Sequence, residues 1–119
     1  MSAHSPDHDV ERFLLVLAAR RSPRTVDAYR RDLASLASSC DGEVGEATVE
    51  DLERWLAAMR ADGLAASTLA RRISAVRTYF RHLNLIGTRA DNPAAAIQLP
   101  RRGRLLPRVL SPAETERLI

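Results

Sequence analysis

Lysine is missing from this chain of 119 residues: all 18 basic residues are arginine. Together with the abundant alanine this reflects GC-rich coding, so the number of arginines alone argues nothing about function. Cysteine occurs once, at Cys40. One thiol excludes an internal disulfide and fits a reducing, cytoplasmic setting. Its place at the end of an apolar stripe suits a small buried hydrophobe. No apolar run approaches the length of a membrane span, and the opening MSAHSPDHDV has neither the basic start nor the apolar stretch of a signal peptide. There is no internal repeat, no glycine-rich phosphate loop and no alternating strand pattern. These absences leave an all-α fold.

The chain is long enough for one domain with a real core, and its hydrophobic content of 45% suits a folded unit. Charge is unevenly laid out. Residues 1–66 hold eight arginines against twelve acids, a net −4. Residues 67–108 hold nine arginines against one acid, Asp91, a net +8, and the last eleven residues give −1. Such polarisation favours a polyanionic partner on one side of the molecule over a merely solvated face.

Four helices follow from apolar periodicity. Val10, Phe13, Leu14 and Leu17 mark the first, ending near Arg20–Arg21. Ser22 caps a second, with Pro23 at its first position and a stripe of Val26, Tyr29, Leu33, Leu36 and Cys40. After an acidic loop, Asp41 to Ala47, Thr48 and Asp51 form a capping box for a third. Its buried face is Val49, Leu52, Trp55, Leu56 and Met59, and Gly63 closes it. The fourth, Ala66 to Leu85, organises the rest: Leu69, Ile73, Val76, Phe80 and Leu83 make one stripe, while Arg71, Arg72, Arg77 and Arg81 occupy other faces with no acid among them. Ser67 and Thr68 stand at its entrance as expected caps. Thr88 to Pro93 reads as a turn, Ala94 to Ile97 as a single helical turn, Pro100 to Pro107 as an extended basic linker, and Ser111 to Glu114 as the capping box of a further helix. A chain that stops inside that helix is expected to be a fragment.

Little catalytic chemistry is visible. Tyr29 and Tyr79 lie in or beside apolar stripes and read as core. His4 and His8 lack the further ligands a metal site needs, and Pro6 breaks the helix they would share. His82 suits a helix C-terminus. No catalytic residue, metal site or cofactor is expected. Binding chemistry is better supported: helices 2 and 4 both begin with hydroxyls and arginines, and an α-helix fits the DNA major groove with its first residues against base edges and phosphates. On helix 4, Ser67, Arg71, Ala75 and Thr78 are expected along one exposed ridge. Arg77 and Arg81 have an alternative, pairing with the acids of helix 3.

The succession SPRTVDAYRRDL (Ser22 to Leu33), TLARRISAVRTYFRHL (Thr68 to Leu83), NPA (Asn92 to Ala94) and LPRVLSPAE (Leu106 to Glu114) resembles the amino-terminal half of tyrosine site-specific recombinases, of the XerC/XerD and phage-integrase type. The resemblance spans Val10 to Ile119 and rests on the order and spacing of the motifs. It implies a SAM-like four-helix bundle of two roughly orthogonal helical hairpins followed by a basic linker. The tail would be residues 1–9, the core-binding domain 10–99, the linker 100–108 and the start of a truncated catalytic domain 109–119. It implies that one arm of a clamp on duplex DNA presents Arg24, Thr25, Ala28 and Arg31 from helix 2. Ser67, Thr68, Arg71, Arg72 and Arg77 would come from helix 4, and Arg101, Arg102 and Arg104 from the linker. The family's nucleophilic tyrosine and its partners lie in the second domain, so this chain alone is expected not to cleave DNA. The implied partners are double-stranded DNA and, in a synaptic tetramer, other recombinase protomers, with no membrane and no small-molecule substrate. The roles implied are DNA recombination, DNA integration and chromosome partition.

The ridges of helices 2 and 4 carry no Asn or Gln, which departs from a strong base-reading surface and suggests affinity more than specificity. Two other readings compete. One is a helix-turn-helix transcription regulator, against which the connection between helices 3 and 4 is expected to lack the motif's tight spacing. The other is a protein–protein interaction module whose arginines serve solvation.

Overall fold

Two kinds of helix start are written into the sequence, and both form. Ser22 Oγ accepts from Thr25 N at 3.2 Å, with Pro23 opening the helix behind it. Thr48 and Asp51 close a reciprocal box, Asp51 N to Thr48 Oγ1 at 3.1 Å and Thr48 N to Asp51 Oδ2 at 3.0 Å. In this computed structural model, which describes residues 8–97, the order is α1 (His8–Ala18), α2 (Pro23–Ala37), α3 (Val49–Ala61) and α4 (Ala66–Leu85), with 3-10 turns at Val44–Glu46 and Pro93–Ala96. No strand occurs among the described residues. The linker, its arginines and the expected capping box at Ser111 lie outside them, as does His4.

Helices α1 and α2 form an antiparallel pair: Arg30 Nη1 reaches Glu11 Oε2 at 2.8 Å, and the Phe13 and Tyr29 rings stand 5.9 Å apart. Helix α4 packs across them through Ile73, Val76, Tyr79, Phe80 and Leu83, all fully buried, and Trp55 and Leu52 of α3 join the same core. Helices α3 and α4 both terminate at a glycine. Gly63 (φ 80°) and Gly87 (φ 81°) adopt the left-handed conformation, and their successors donate back into the helix, Leu64 N to Met59 O at 3.2 Å and Thr88 N to Leu83 O at 3.0 Å. These are Schellman closures, which satisfy carbonyls that the helix end leaves open.

Four expectations are corrected. Helix α4 starts at Ala66 with Ala65 as its cap and no side-chain hydrogen bond, so Ser67 and Thr68 sit inside the first turn and do not cap it. Ala75 is buried and leaves the exposed ridge. The stripe of α2 stops before Cys40, because the helix ends at Ala37 and Cys40 packs on the core from the following turn. The connection from α3 to α4 is Asp62 to Ala65, as short as the turn of a helix-turn-helix, so its length does not argue against that motif.

Candidate nucleic-acid interface

Acids favour the positive N-terminal end of a helix. They occupy the first turns of α1 (Asp9, Glu11) and α3 (Glu50, Asp51), and are absent from the first turns of α2 and α4. The two helices whose entrances carry hydroxyls and arginines therefore present uncompensated positive ends. At α4 the effect is strongest: Ala65 supplies no accepting side chain, so the first-turn N–H groups have no internal cap. At α2 the Ser22 hydroxyl serves Thr25 N and donates to Thr25 Oγ1 at 3.1 Å.

A buried carboxylate joins the two helices. Asp32, in the middle of α2, is 3% exposed and is the one charged residue among the buried side chains described. Arg71 Nη1 donates to its Oδ2 at 2.7 Å, and Arg72 Nε lies 3.7 Å from Oδ1. Arg72 also donates to Ser35 Oγ at 3.3 Å, and that hydroxyl accepts from Trp55 Nε1 at 2.9 Å. A polar line thus runs from the Trp55 indole in the core, through Ser35, Arg72 and Asp32, to Arg71 at the surface. Burial pushes the Asp32 carboxyl above the ordinary aspartate range; the charge and hydrogen bond of Arg71, then Arg72, pull it back without reversing the direction.

The expected contact residues separate into two groups. Arg24, Arg31, Ser67 and Arg71 are exposed, and Thr25, Ala28 and Thr68 are half-buried beside them. Arg72 and Arg77 turn inward: Arg72 joins the polar line, and Arg77 Nη2 approaches Ala94 O at 3.4 Å. Neither Arg77 nor Arg81 pairs with an acid of α3 among the described residues. Sequence reasoning missed Asp32, because its place within RRDL reads as one more surface charge. Its signal was register: Asp32 falls three residues after Tyr29 and next to Leu33, on the edge of the buried stripe of α2.

No helix among the described residues is long and apolar enough to cross a membrane. No group of three or more His, Cys, Asp or Glu is placed to hold a metal ion among them.

Residues 10–85 match the model of the phage integrase N-terminal SAM-like domain. Similar proteins include the tyrosine recombinase XerC of Chromobacterium violaceum, 41% identical over 106 residues, and the tyrosine recombinase XerD of Bradyrhizobium diazoefficiens, 41% identical over 113. The alignments take in 87% and 90% of this chain but 36% and 35% of those proteins, so the chain spans about a third of their length. Among solved structures, the integrase from mycobacterium phage Brujita superposes with a TM-score of 0.76 at 28% identity, over 98% of this chain and 40% of that one. The four helices, their order and the matched span agree: this chain belongs to the family of phage integrase N-terminal SAM-like, core-binding domains of tyrosine recombinases.

Proposed function

We propose that this domain grips duplex DNA at a recombination core site, as one arm of a clamp, for strand exchange by a catalytic domain such as would begin near Pro107. The observation that carries the reading is that α2 and α4 both begin without an acid, and that Asp32, in the middle of α2, holds Arg71 of α4 at the surface. Arg71, Arg24 and Arg31 approach the groove. Ser67 and Thr68 offer hydroxyls and first-turn N–H groups to the backbone. Arg72 and Arg77 support these contacts from beneath, and Arg101, Arg102 and Arg104 follow the backbone beyond residue 100. Core binding covers residues 10–99, and the linker 100–108. In the whole protein, breakage and rejoining would pass through a tyrosyl-DNA linkage made by that second domain, within an assembly of protomers in the cytoplasm, on a chromosomal or a mobile-element site.

The test is binding to duplexes selected from a randomised pool, across a salt series. Affinity should fall steeply with salt. Arg71→Ala should weaken the selected duplex by about 1–3 kcal/mol and relax preference at one base pair, as loss of a guanine contact does. Unchanged affinity removes Arg71 from the groove. Four exposed large apolar side chains, Leu15, Val16, Leu85 and Ile86, favour a second reading as a protein-binding module. That reading prevails if no duplex is bound at low salt.

A further inference from the structure

A cleft of about 530 Å³ opens where the end of α1, the middle of α2 and the last turns of α4 meet. Three arginines line it, Arg20 and Arg21 just after α1 and Arg81 late in α4, and no carboxylate does. All three are exposed, and none of their guanidiniums has an ion-pair partner among the described residues. Five other arginines are ion-paired, Arg30 with Glu11, Arg54 with Asp51, Arg71 and Arg72 with Asp32 and Arg89 with Asp91, while the remaining ones without an ion pair, such as Arg12, Arg24, Arg31 and Arg60, do not line this cleft. Like charges gathered without counter-charge repel one another, and an external anion relieves that repulsion. His82, on the same lining, has its Nε2 buried without a hydrogen-bond partner. Phe13 supplies an apolar floor, with its ring 5.2 Å from the imidazole.

We propose that this cleft seats a phosphodiester of the DNA backbone, one contact beyond the groove-facing surface of α2 and α4. The inference rests on the DNA-binding reading above and extends it to residues which that reading leaves out. One feature suits any phosphate, and two more select a phosphodiester over a free inorganic anion. Guanidiniums offer only donors, in forks that match phosphate oxygens. The volume far exceeds one phosphate group and leaves room for the adjoining sugars against the apolar floor. Thr78, whose Oγ1 donates to Ser74 O at 3.0 Å, lies on both the cleft lining and the α4 ridge that carries Arg71, so the backbone of a duplex on that ridge passes the cleft.

The experiment is fluorescence anisotropy of the 119-residue chain with a 30-base-pair duplex of arbitrary sequence, from low to high salt. The triple variant Arg20→Ala, Arg21→Ala, Arg81→Ala should bind about tenfold or more weakly at low salt, with a salt slope shallower by about 1, since each phosphate contact contributes about 0.9. Leu85→Glu adds an acid at the cleft rim, where the residue is 81% exposed. It should weaken binding severalfold at low salt and converge on wild type at high salt. A control, Arg12→Ala with Arg60→Ala, removes exposed charge away from the cleft and should leave the slope unchanged. Unchanged slope and affinity in the triple variant and in Leu85→Glu, with Arg71→Ala still impaired, overturn the cleft site and spare the function. An equal slope change per charge in the control also overturns it. Failure of wild type to bind the duplex at all overturns both.

Discussion

Arg71 and Asp32 meet at 2.7 Å from opposite environments: the Arg71 side chain is 53% exposed and Asp32 is 3% exposed. Withdrawing a carboxylate from water costs more than a half-solvated guanidinium returns, which is why the carboxyl titrates above its ordinary range. The pair is therefore a device for holding Arg71 in place rather than a source of stability.

Asp32→Asn separates these two roles. At pH 7 its unfolding free energy should stay within about 1 kcal/mol of wild type, or rise, because the neutral amide avoids the burial of a charge. Affinity for duplex DNA should nevertheless fall about two- to tenfold, since an unheld Arg71 must be ordered at the moment of binding. The pH dependence has a definite sign. A raised folded-state carboxyl contributes its stability below the unfolded value of 3.8 and loses it as pH rises through the folded value. The stability of wild type relative to Asp32→Asn should therefore drop between about pH 3.8 and neutrality, measured by urea unfolding at each pH. A relative rise over that range would show that the ion pair is stabilising.

Arg89 acts as a clasp. Its Nη1 donates to Gly45 O at 3.0 Å and Ala47 O at 2.7 Å, its Nε meets Asp91 Oδ1 at 2.7 Å, and its guanidinium carbon lies 5.1 Å from the centre of the Phe80 ring. One planar fork joins the turn before α3 to the segment after α4. Arg89→Ala strands two carbonyls and should cost about 2–4 kcal/mol by urea unfolding. Arg89→Lys should recover less than half of that, because a single ammonium cannot span the fork's partners. The hydrogen bond and charge of Arg89 hold the Asp91 carboxyl below its ordinary range. That contribution is present above 3.8 and lost as pH falls through the folded value, so the acid limb of the stability curve should flatten in Asp91→Asn.

The fold was legible because its helices are written redundantly, each with an apolar stripe and, at Ser22, Thr48 and Gly63, a cap that the structure reproduces. The site was legible only as an outline. Periodicity identifies which face of α4 is buried, but not that Ala75, one step off the stripe, is buried too or that Arg72 reaches Ser35 of α2. Those outcomes depend on the approach of two helices far apart in sequence. The stretch Asp41 to Ala47 reads only as an acidic loop, and nothing in it announces that Val44 and Ala47 are buried or that Arg89 is anchored on the carbonyls of Gly45 and Ala47.

Cys40 should be a slow nucleophile. Burial, and then the nearby Asp51 charge, push its thiol up to about 11, and Sγ lies 3.4 Å from Leu36 O, to which it donates. At pH 8 the folded protein should react with iodoacetamide about a hundredfold more slowly than the urea-unfolded chain, whose thiol titrates near the ordinary 9. The folded-state rate should rise with a midpoint near pH 11. A midpoint at 9 would mean that the thiol is solvated. Stability linked to this group is complete below about 9 and lost as pH climbs through about 11.

Gly63 sets the angle at which α4 leaves α3, and its requirement is conformational. An added Cβ would meet nothing within 4 Å, while φ is 80°. Gly63→Ala should therefore destabilise by about 1 kcal/mol through backbone strain alone. Gly63→Asn should cost less, because asparagine tolerates the left-handed region. A cavity or clash would rank the two by size; strain ranks them by tolerance of positive φ. Thermal unfolding of both variants distinguishes the cases. The DNA-binding consequence should follow the same order, since Ala65, Ser67 and Thr68 begin two residues beyond this turn and take their direction from it.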